Sequence, residues 1–351
     1  MKRAVVAAIS LMTGLTMLTG CSKAEVEETI QPLVADAIEE SDSEAEAVDE
    51  QDESPLIPEI DTDVKIEAGS RIAVVSKSVK GEYWKMVKKG MEDAVKEINK
   101  AYGYKKDDQI TMTFEGPDNE EDVETQINTI DAVIAENPDV LCISASDMDS
   151  CEAQLEAAKE NGIPVIAFDS NVAEKKLVKA YRGTDNVQVG KMAAYQLGSA
   201  LGKMGKVAVF SAQQKTKSVQ DRVEGFMNNI GKYGDIEVVE TIYSDQVDDM
   251  EASMKEVLEK YPTLDGVFCT NADITEMYLN LEKSDEHDAP ALVGVDATTK
   301  QQEAIRNGEE IGCVSQQPYA MGYQTIWAAV ETTAPKKSVV LPGARPDSTA
   351  E

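Results

Sequence analysis

Polar side chains that can hydrogen-bond a ligand follow the apolar strands of this sequence at the points where those strands end. Asp169 directly follows the apolar run Val165–Phe168, and Asp296 follows Val293–Val295 in the same way. Continuous apolar runs are typical of parallel strands that helices cover on both faces. In such sheets a ligand binds outside the carboxyl ends of the strands. A carboxylate at such a position is either a ligand contact or a turn-forming Asp, and a single example favours the turn.

The pattern recurs at several strand ends, and this repetition favours ligand binding over isolated turns. Carboxylates and amides accept and donate hydrogen bonds to adjacent hydroxyl groups, and an arginine donates a fixed fork of N–H groups. Aromatic faces pack against the C–H side of a sugar ring. We therefore predict a site for a small polyhydroxyl ligand. Its candidate ligand-binding residues are Tyr83, Trp84, Ser144, Asp169, Arg222, Asn271, Asp296 and Gln316.

Strand and helix patterns alternate in two sets that are separated by a chain crossing near Tyr181–Asp185. The predicted strands are 71–76, 110–115, 139–144 and 163–168, followed by 206–211, 236–243, 264–270, 291–296 and 312–316. The predicted helices are 82–100, 121–136 and 150–160, followed by 187–202, 217–232, 247–260, 272–283, 299–307 and 319–333. Two sets of βα units predict an α/β protein with two doubly wound, Rossmann-like parallel-sheet lobes. Crossing hinge strands would join the lobes, with the ligand cleft between them.

The N-terminus has the composition of a bacterial export signal. Two basic residues precede an apolar stretch at 4–17, and Leu18-Thr19-Gly20-Cys21 resembles a lipobox, in which the cysteine is acylated. The stretch is shorter than the roughly 20 residues that span a membrane, and small residues beside Cys21 favour cleavage. An uncleaved anchor is the alternative, and it would also place the protein outside the cytoplasm. We predict a lipoprotein signal peptide at 1–20 and a lipid-anchored, extracytoplasmic protein at the cell membrane.

An acidic tract follows Cys21 and extends to about Gly69. It lacks aromatic residues and is interrupted by prolines, which is typical of a disordered linker. Calcium binding is the weaker alternative, because no glycine-centred loop with ordered ligands occurs in the tract. The predicted domains are the linker at 21–69, an N-terminal lobe at 70–183 plus 317–334, and a C-terminal lobe at 184–316 plus 335–351.

Composition argues against several functional classes. The 351-residue chain has a formal net charge of -31, which disfavours nucleic acid as a partner because phosphate binding requires clustered basic residues. The five cysteines show no metal-ligand spacing, so no metal or cofactor is expected. No nucleophile–base pair is visible, and His287 stands in a polar stretch expected to be a solvated loop, so no catalytic residues are expected. The strand cysteines are expected to be buried thiols, and a pairing of Cys142 with Cys151 stays open.

Several segments also resemble the type I periplasmic binding proteins of the ribose- and galactose-binding group, in the order of that family. The segments are Ile72–Ser76 with Tyr83-Trp84, Ile163–Asp169, Thr184–Val187 with Gly190, Arg222–Phe226, Asn271–Asp273, Val293–Asp296, and Gln316 before Pro318. They span residues 71 to about 334. The resemblance implies two α/β lobes joined by crossing strands, with a final helix that returns to the first lobe. It also implies that the candidate residues above, Ser144 excepted, contact a sugar.

The resemblance implies a monomeric solute-binding protein that captures a small polar ligand, foremost a monosaccharide, for the permease of an ABC importer. Lobe closure around the ligand would accompany capture. The alternative is a sensor whose closed state is recognised by a membrane histidine kinase or chemoreceptor. Hexose, pentose, polyol and furanosyl ligands all stay open.

The sequence departs from that family at three places in the expected site. Gly81 stands where ribose and galactose binders place a polar contact. Ser170 stands where the ribose binder has an arginine, and Asp245-Gln-Val-Asp248 stands where the second lobe usually presents an aromatic residue. A sugar ring held between two aromatic faces is therefore not the expected arrangement. Trp84 is expected at the cleft mouth, partly exposed to water, whereas Trp327 is expected to be buried.

Overall fold

The computed structural model describes residues 57, 60–281 and 289–333. The described residues contain two five-stranded, wholly parallel sheets. The predictions for Cys21, the signal peptide, most of the acidic tract, His287 and the C-terminal tail all lie outside the described residues.

The first sheet and the helices on its two faces form what we call the first lobe. Its strands are β1 (Arg71–Val75), β2 (Thr111–Glu115), β3 (Val140–Ile143), β4 (Val165–Phe168) and β5 (Ala180–Arg182), in the spatial order β2-β1-β3-β4-β5. Helices α1 (Gly81–Ala101), α2 (Val123–Ala135) and α3 (Glu152–Glu160) connect them. Alternate residues of one strand enter different cores: Ile72 and Val74 join the core under α1, whereas Ala73 and Val75 join the core under α2 and α3.

The second sheet and the helices on its two faces form what we call the second lobe. Its strands are β6 (Met204–Ser211), β7 (Asp235–Tyr243), β8 (Gly266–Cys269), β9 (Ala291–Val295) and β10 (Gly312–Val314), in the order β10-β9-β8-β6-β7. Its helices are α4 (Asn186–Ala200), α5 (Lys217–Ile230), α6 (Met250–Lys260), α7 (Ala272–Asn280) and α8 (Thr299–Asn307). Val209 and Phe210, adjacent in β6, enter the cores on opposite faces of the sheet. The predicted fold class, two doubly wound parallel-sheet lobes, is confirmed.

The chain crosses between the lobes twice within the described residues. It passes from β5 to α4 and returns from β10 to α9 (Pro318–Thr333), which packs against α1, β3 and β4 of the first lobe. Two glycines allow α1 and α9 to approach closely. A Cβ atom added to Gly90 would lie 2.0 Å from the carbonyl oxygen of Tyr319, and one added to Gly322 would lie 2.1 Å from that of Val87.

Residues 60–69 are ordered on the first lobe, although the sequence assigns them to the acidic linker. Tyr102 donates a hydrogen bond from its hydroxyl to the carbonyl oxygen of Val64 at 2.6 Å, and Tyr104 donates to that of Ile66 at 3.0 Å. Ile66 is buried in the core that α1 covers. The predicted end of the linker at Gly69 is therefore wrong, because tertiary contacts order the last apolar residues of an otherwise acidic tract.

The described cysteines, Cys142, Cys151, Cys269 and Cys313, are all free thiols. The possible pairing of Cys142 with Cys151 is therefore not formed. Burial raises the pKa of the Cys151 thiol to about 12, which makes it a poor nucleophile.

In the described part of the chain, none of the helices combines the length and apolar character that crossing a bilayer requires.

We expect Gly90→Ala to lower the melting temperature of the protein. The added methyl group would collide with backbone of α9, which cannot rotate away as a side chain can. Overpacking of this kind costs about 1–3 kcal/mol, whereas the higher helix propensity of alanine returns at most about 1 kcal/mol.

Gly234→Ala is the matched control, since no atom lies within 4 Å of a Cβ added there. Thermal unfolding followed by circular dichroism compares the two variants. Equal melting temperatures would contradict the close packing of α1 on α9.

Candidate ligand-binding site

A cavity of about 260 Å³ lies between the carboxyl ends of the two sheets, and both lobes contribute to its walls. Most of the residues predicted from the strand ends line it. These are Tyr83, Trp84 and Asp169 from the first lobe and Arg222, Asn271, Asp296 and Gln316 from the second. Ser144 does not line the cavity, because it is fully buried behind Asp169 and donates a hydrogen bond to that carboxylate at 2.8 Å.

Asp169 is the most elaborately held side chain of the site. It directly follows β4 with a φ of 54°, in the left-handed region, and it is buried. Tyr83 Oη donates to Asp169 Oδ1 at 2.7 Å, and Lys77 Nζ lies 3.1 Å from Oδ2. Burial alone would raise the pKa of Asp169, but the charge of Lys77, the Tyr83 hydrogen bond and Arg222 together hold it below the ordinary value. Asp169 is therefore a fixed, ionised acceptor.

Lys77 is a site residue that the strand-end pattern does not reveal. It lines the cavity, is 5% exposed, lies 3.4 Å from Glu120 Oε2 and stands over the ring of Trp84 at 5.6 Å. Burial lowers the pKa of a lysine, yet Asp169 and Glu120 outweigh that effect and raise the pKa of Lys77. The first lobe therefore contributes a charged ammonium group to the site. In the ribose binder that this sequence resembles, the positive charge would come from an arginine at the position of Ser170. The only feature of the sequence that points to Lys77 as a site residue is its position directly after Ser76, at the end of the first predicted strand.

Trp84 corrects one expectation, because it is 3% exposed rather than partly open to water. Its Nε1 donates to Glu120 Oε1 at 2.6 Å, and its ring meets Phe168 edge-on at 6.3 Å. The reason is helix periodicity: Trp84, Val87 and Met91 share one face of α1, and that face covers the sheet. Conversely, Trp327 is only partly buried, so the expectation of a buried Trp327 is also wrong.

Tyr83 and Arg222 present hydrogen-bond donors to the cavity from opposite lobes. Burial, Asp169 and Asp296 raise the pKa of the Tyr83 phenol well above its ordinary value, which keeps it protonated. Arg222 is buried in α5, donating from Nε to Asn186 Oδ1 at 2.8 Å and from Nη1 to the carbonyl oxygen of Thr270 at 2.7 Å. A guanidinium has five N–H donors, so these two bonds fix its orientation and leave others for a ligand.

Asp296 and its neighbours form the polar wall of the second lobe. Asp296 has a φ of 95°, and its Oδ2 accepts a hydrogen bond from the backbone N–H of Ala272 at 2.8 Å. Gln316 Nε2 donates to Asp296 Oδ1, and Gln316 Oε1 accepts from Thr184 Oγ1 at 2.7 Å. Asn271 caps α7, with its Oδ1 accepting from the N–H of Ile274. Each side chain is thus oriented by the protein before any ligand arrives.

The cavity contains more acidic than basic groups. Its acidic lining residues are Glu82, Asp118, Glu120, Asp169, Asp273, Glu276 and Asp296, and its basic ones are Lys77, Lys80 and Arg222. Burial, and to a lesser extent the neighbouring carboxylates of Glu120 and Asp296, raises the pKa of Asp273 to about 6. Such a site disfavours phosphates and carboxylates as ligands. Within residues 60–281 and 289–333, no group of three or more His, Cys, Asp or Glu side chains is arranged to hold a metal ion.

Hydrogen bonds cross the cleft and hold the two lobes against each other. Glu82 Oε2 accepts from both the backbone N–H and the hydroxyl of Thr299, each at 3.0 Å, at the N-terminus of α8. Thr216 donates to the carbonyl oxygen of Ser146, and Gln213 Nε2 donates to that of Glu120 at 3.2 Å. The structure is therefore a closed conformation in which both lobes surround the cavity.

Known proteins share this architecture over most of the chain. A family profile described as "Periplasmic binding protein domain" matches residues 72–337. The ribose import binding protein RbsB of Bacillus subtilis (strain 168) is 26% identical over 220 residues, which are 63% of this chain and 71% of that protein. A xylitol-binding protein of Mycolicibacterium smegmatis is 25% identical over 211 residues, 60% of each chain.

A solved structure gives the same result. The ABC transporter solute binding protein from Agrobacterium vitis with bound D-fucose has a TM-score of 0.68 and 26% identity, covering 75% of this chain and 89% of that one. Together with the two parallel-sheet lobes and the cavity between them, the match of the family profile over 72–337 shows the relationship. The chain belongs to the type I periplasmic binding proteins, a family of binding proteins rather than enzymes.

Proposed function

We propose that this protein captures an uncharged sugar or sugar alcohol outside the cytoplasm and delivers it to an ABC importer. The observation that carries the proposal is a cavity between the lobes into which both of them direct oriented donors and acceptors. The ligands named for its relatives, ribose, xylitol and D-fucose, are all uncharged polyhydroxyl compounds. The acidic lining supports the same class, because it disfavours sugar phosphates and sugar acids.

In the proposed mechanism each lobe supplies half of the ligand contacts. Asp169 and Asp296 accept hydrogen bonds from sugar hydroxyls, while Arg222, Asn271, Gln316 and Lys77 donate to hydroxyl or ring oxygens. The ring of Tyr83 and the accessible edge of Trp84 pack against C–H groups. Closure removes water from these contacts and makes each of them stronger. The closed surface made by the two lobes is then the form that the permease recognises.

Tethering completes the proposal. After cleavage of residues 1–20, the acylated Cys21 would anchor the protein in the membrane, and the acidic residues up to about 59 would form the tether. We place the lobes at 70–183 plus 317–334 and at 184–316 plus 335–351, with residues 60–69 added to the first.

Isothermal titration calorimetry of the purified protein tests the ligand class. The probes are D-ribose, D-allose, D-fucose, D-arabinose and xylitol, with ribose 5-phosphate as the anionic comparison. We expect micromolar or tighter binding of at least one neutral probe and none of the phosphate. Binding of the phosphate alone would contradict the proposal.

Asp296→Asn should weaken binding of the neutral probe at least tenfold. The substitution keeps the size of the side chain but replaces the carboxylate, which accepts hydrogen bonds from ligand hydroxyls, with an uncharged amide. A hydrogen bond to a charged group contributes roughly 1.5–3 kcal/mol. Asp265→Asn is the control, because it makes the same charge change at the exposed start of β8, the opposite end of the second sheet. Equal affinities of the two variants in calorimetry would exclude Asp296 as a contact.

Tryptophan fluorescence should report lobe closure through Trp84. Opening the cleft breaks the Gln213–Glu120 hydrogen bond and admits water to the group formed by Trp84, Glu120 and Lys77. A saturating neutral probe should therefore shift the emission to shorter wavelength. The shift should persist in Trp327→Phe and disappear in Trp84→Phe. A full shift in Trp84→Phe would show that the indole does not sense the cleft.

Lipidation should depend on Cys21 alone. Cys21→Ala in the full-length chain should abolish incorporation of labelled palmitate and leave the precursor unprocessed, because acylation requires the thiol. Cys142→Ala, which removes a buried thiol in β3, is the control and should label normally. Labelling of the Cys21→Ala protein would contradict the anchor.

A further inference from the structure

We propose that a second subsite adjoins the sugar cavity and holds a second sugar unit, so that the ligand is a neutral disaccharide or glycoside. This inference rests on the proposed function. A second cavity of about 450 Å³ lies beside the first, which measures about 260 Å³. The two cavities share five lining residues, namely Asp118, Glu120, Val219, Asn271 and Asp273. The two cavities are therefore adjacent, and we infer that a ligand bound in the first extends into the second past these side chains.

The lining of the second cavity combines apolar side chains with hydrogen-bond acceptors. The apolar surface comes from the second lobe, chiefly Val247, Met250, Ile274 and Met277. Opposite it, the segment Asp118–Glu121 of the first lobe supplies carboxylates and an amide. Apolar side chains suit the C–H groups of a pyranose ring, and carboxylates accept from its hydroxyls. This is the chemistry of a sugar unit rather than of an alkyl chain, which would leave the acidic wall without partners.

The charge of the second cavity further restricts the kind of sugar unit that it can hold. Five of its lining residues are acidic, and no lysine or arginine lines it. Glu120 is paired with Lys77 and Asp118 with Lys80. A phosphate, sulfate or uronate on the second unit would still meet the carboxylates of Glu121, Asp248 and Asp273. The first cavity differs in this respect, since Lys77 and Arg222 offset part of its acidic lining. The second unit is therefore uncharged.

The segment Ser244–Asp248 of the second lobe forms one edge of the second cavity. Val247 follows the short 3-10 helix Ser244–Gln246 and lines the cavity. The same segment also covers the cavity, since Ser244 donates a hydrogen bond across the cleft to Glu121. Gln213 crosses beside it to the carbonyl oxygen of Glu120. The second unit would thus lie between the two lobes in the closed form.

Calorimetry with matched neutral probes tests the subsite. The disaccharides are maltose, cellobiose, lactose, melibiose, sucrose and trehalose, and the single-unit probes are glucose, galactose and fructose. We expect at least one disaccharide to bind ten or more times tighter than either of its constituents. Val247→Phe fills the cavity and should weaken that disaccharide at least tenfold while changing monosaccharide affinity less than twofold.

Asp248→Phe, at an exposed lining position, tests the same point should Val247→Phe fold poorly. Met204→Phe, at the exposed start of β6, is the control and should leave both affinities unchanged. If monosaccharides bind and no disaccharide binds more tightly, the subsite is wrong and the proposed function stands. Equal losses for both kinds of probe would also overturn it. If none of these sugars binds, and none of ribose, allose, fucose, arabinose and xylitol binds either, both proposals fail.

Discussion

A buried, ionised carboxylate at the end of β4 is the constraint on which the first half of the site depends. Taking such a group out of water costs several kcal/mol unless charges and hydrogen bonds replace its hydration. Asp169 obtains these partners from three separate places: Ser144 after β3, Lys77 after β1 and Tyr83 at the start of α1. Correct placement of β1, β3, β4 and α1 is therefore required before Asp169 is satisfied. The same placement forms the cavity wall.

The second lobe holds its charged side chains in place with backbone groups and one side-chain amide. Arg222 is oriented by Asn186 and by the carbonyl oxygen of Thr270, and Asp296 is oriented by the N–H of Ala272. Holding the ligand groups in place beforehand reduces the entropy lost on binding. Each lobe is thus a preorganised half-site, and the remaining cost of binding is that of bringing the halves together. Bonds such as Glu82 to Thr299 offset part of this cost.

Apolar patterning predicts most of the fold because the strands are buried on both faces. The observed bounds of β3, Val140–Ile143, and β4, Val165–Phe168, fall inside the predicted runs, and the polar residue after each run marks the cavity edge. Patterning fails where contacts are distant in sequence. Nothing local shows that Lys77 is neutralised by Asp169 and Glu120, and a lysine is rarely buried without such partners. The order of residues 60–69 depends in the same way on Tyr102 and Tyr104.

Trp84 shows a different limit of sequence reasoning. Adjacent aromatic residues on a helix point about 100° apart, so Tyr83 and Trp84 cannot both face the cleft squarely. The structure resolves the ambiguity by burying the indole and extending its N–H to Glu120, so that Trp84 belongs to the core and to the cavity wall at once. Which of two adjacent side chains is buried depends on how α1 sits on the sheet. That orientation is set by α9, a segment more than 200 residues later in the chain.

Charge gives the cleft a means of selection that hydrogen bonding alone does not provide. A sugar and its phosphate present nearly the same hydroxyl groups, so donors and acceptors placed for one also fit the other. The chain carries a formal net charge of -31, and such a field reduces the encounter rate with anions before any contact forms. Inside the cavity, Glu120 and Asp273 add further carboxylates. Burial, together with acidic neighbours, raises the pKa of Asp273 to about 6, so a negative charge is unfavourable at that position. Lys77 does not reverse the effect, because its charge is already matched by two carboxylates. Under the proposed function, selection against anions would follow from the excess of carboxylates over basic groups in the cavity lining.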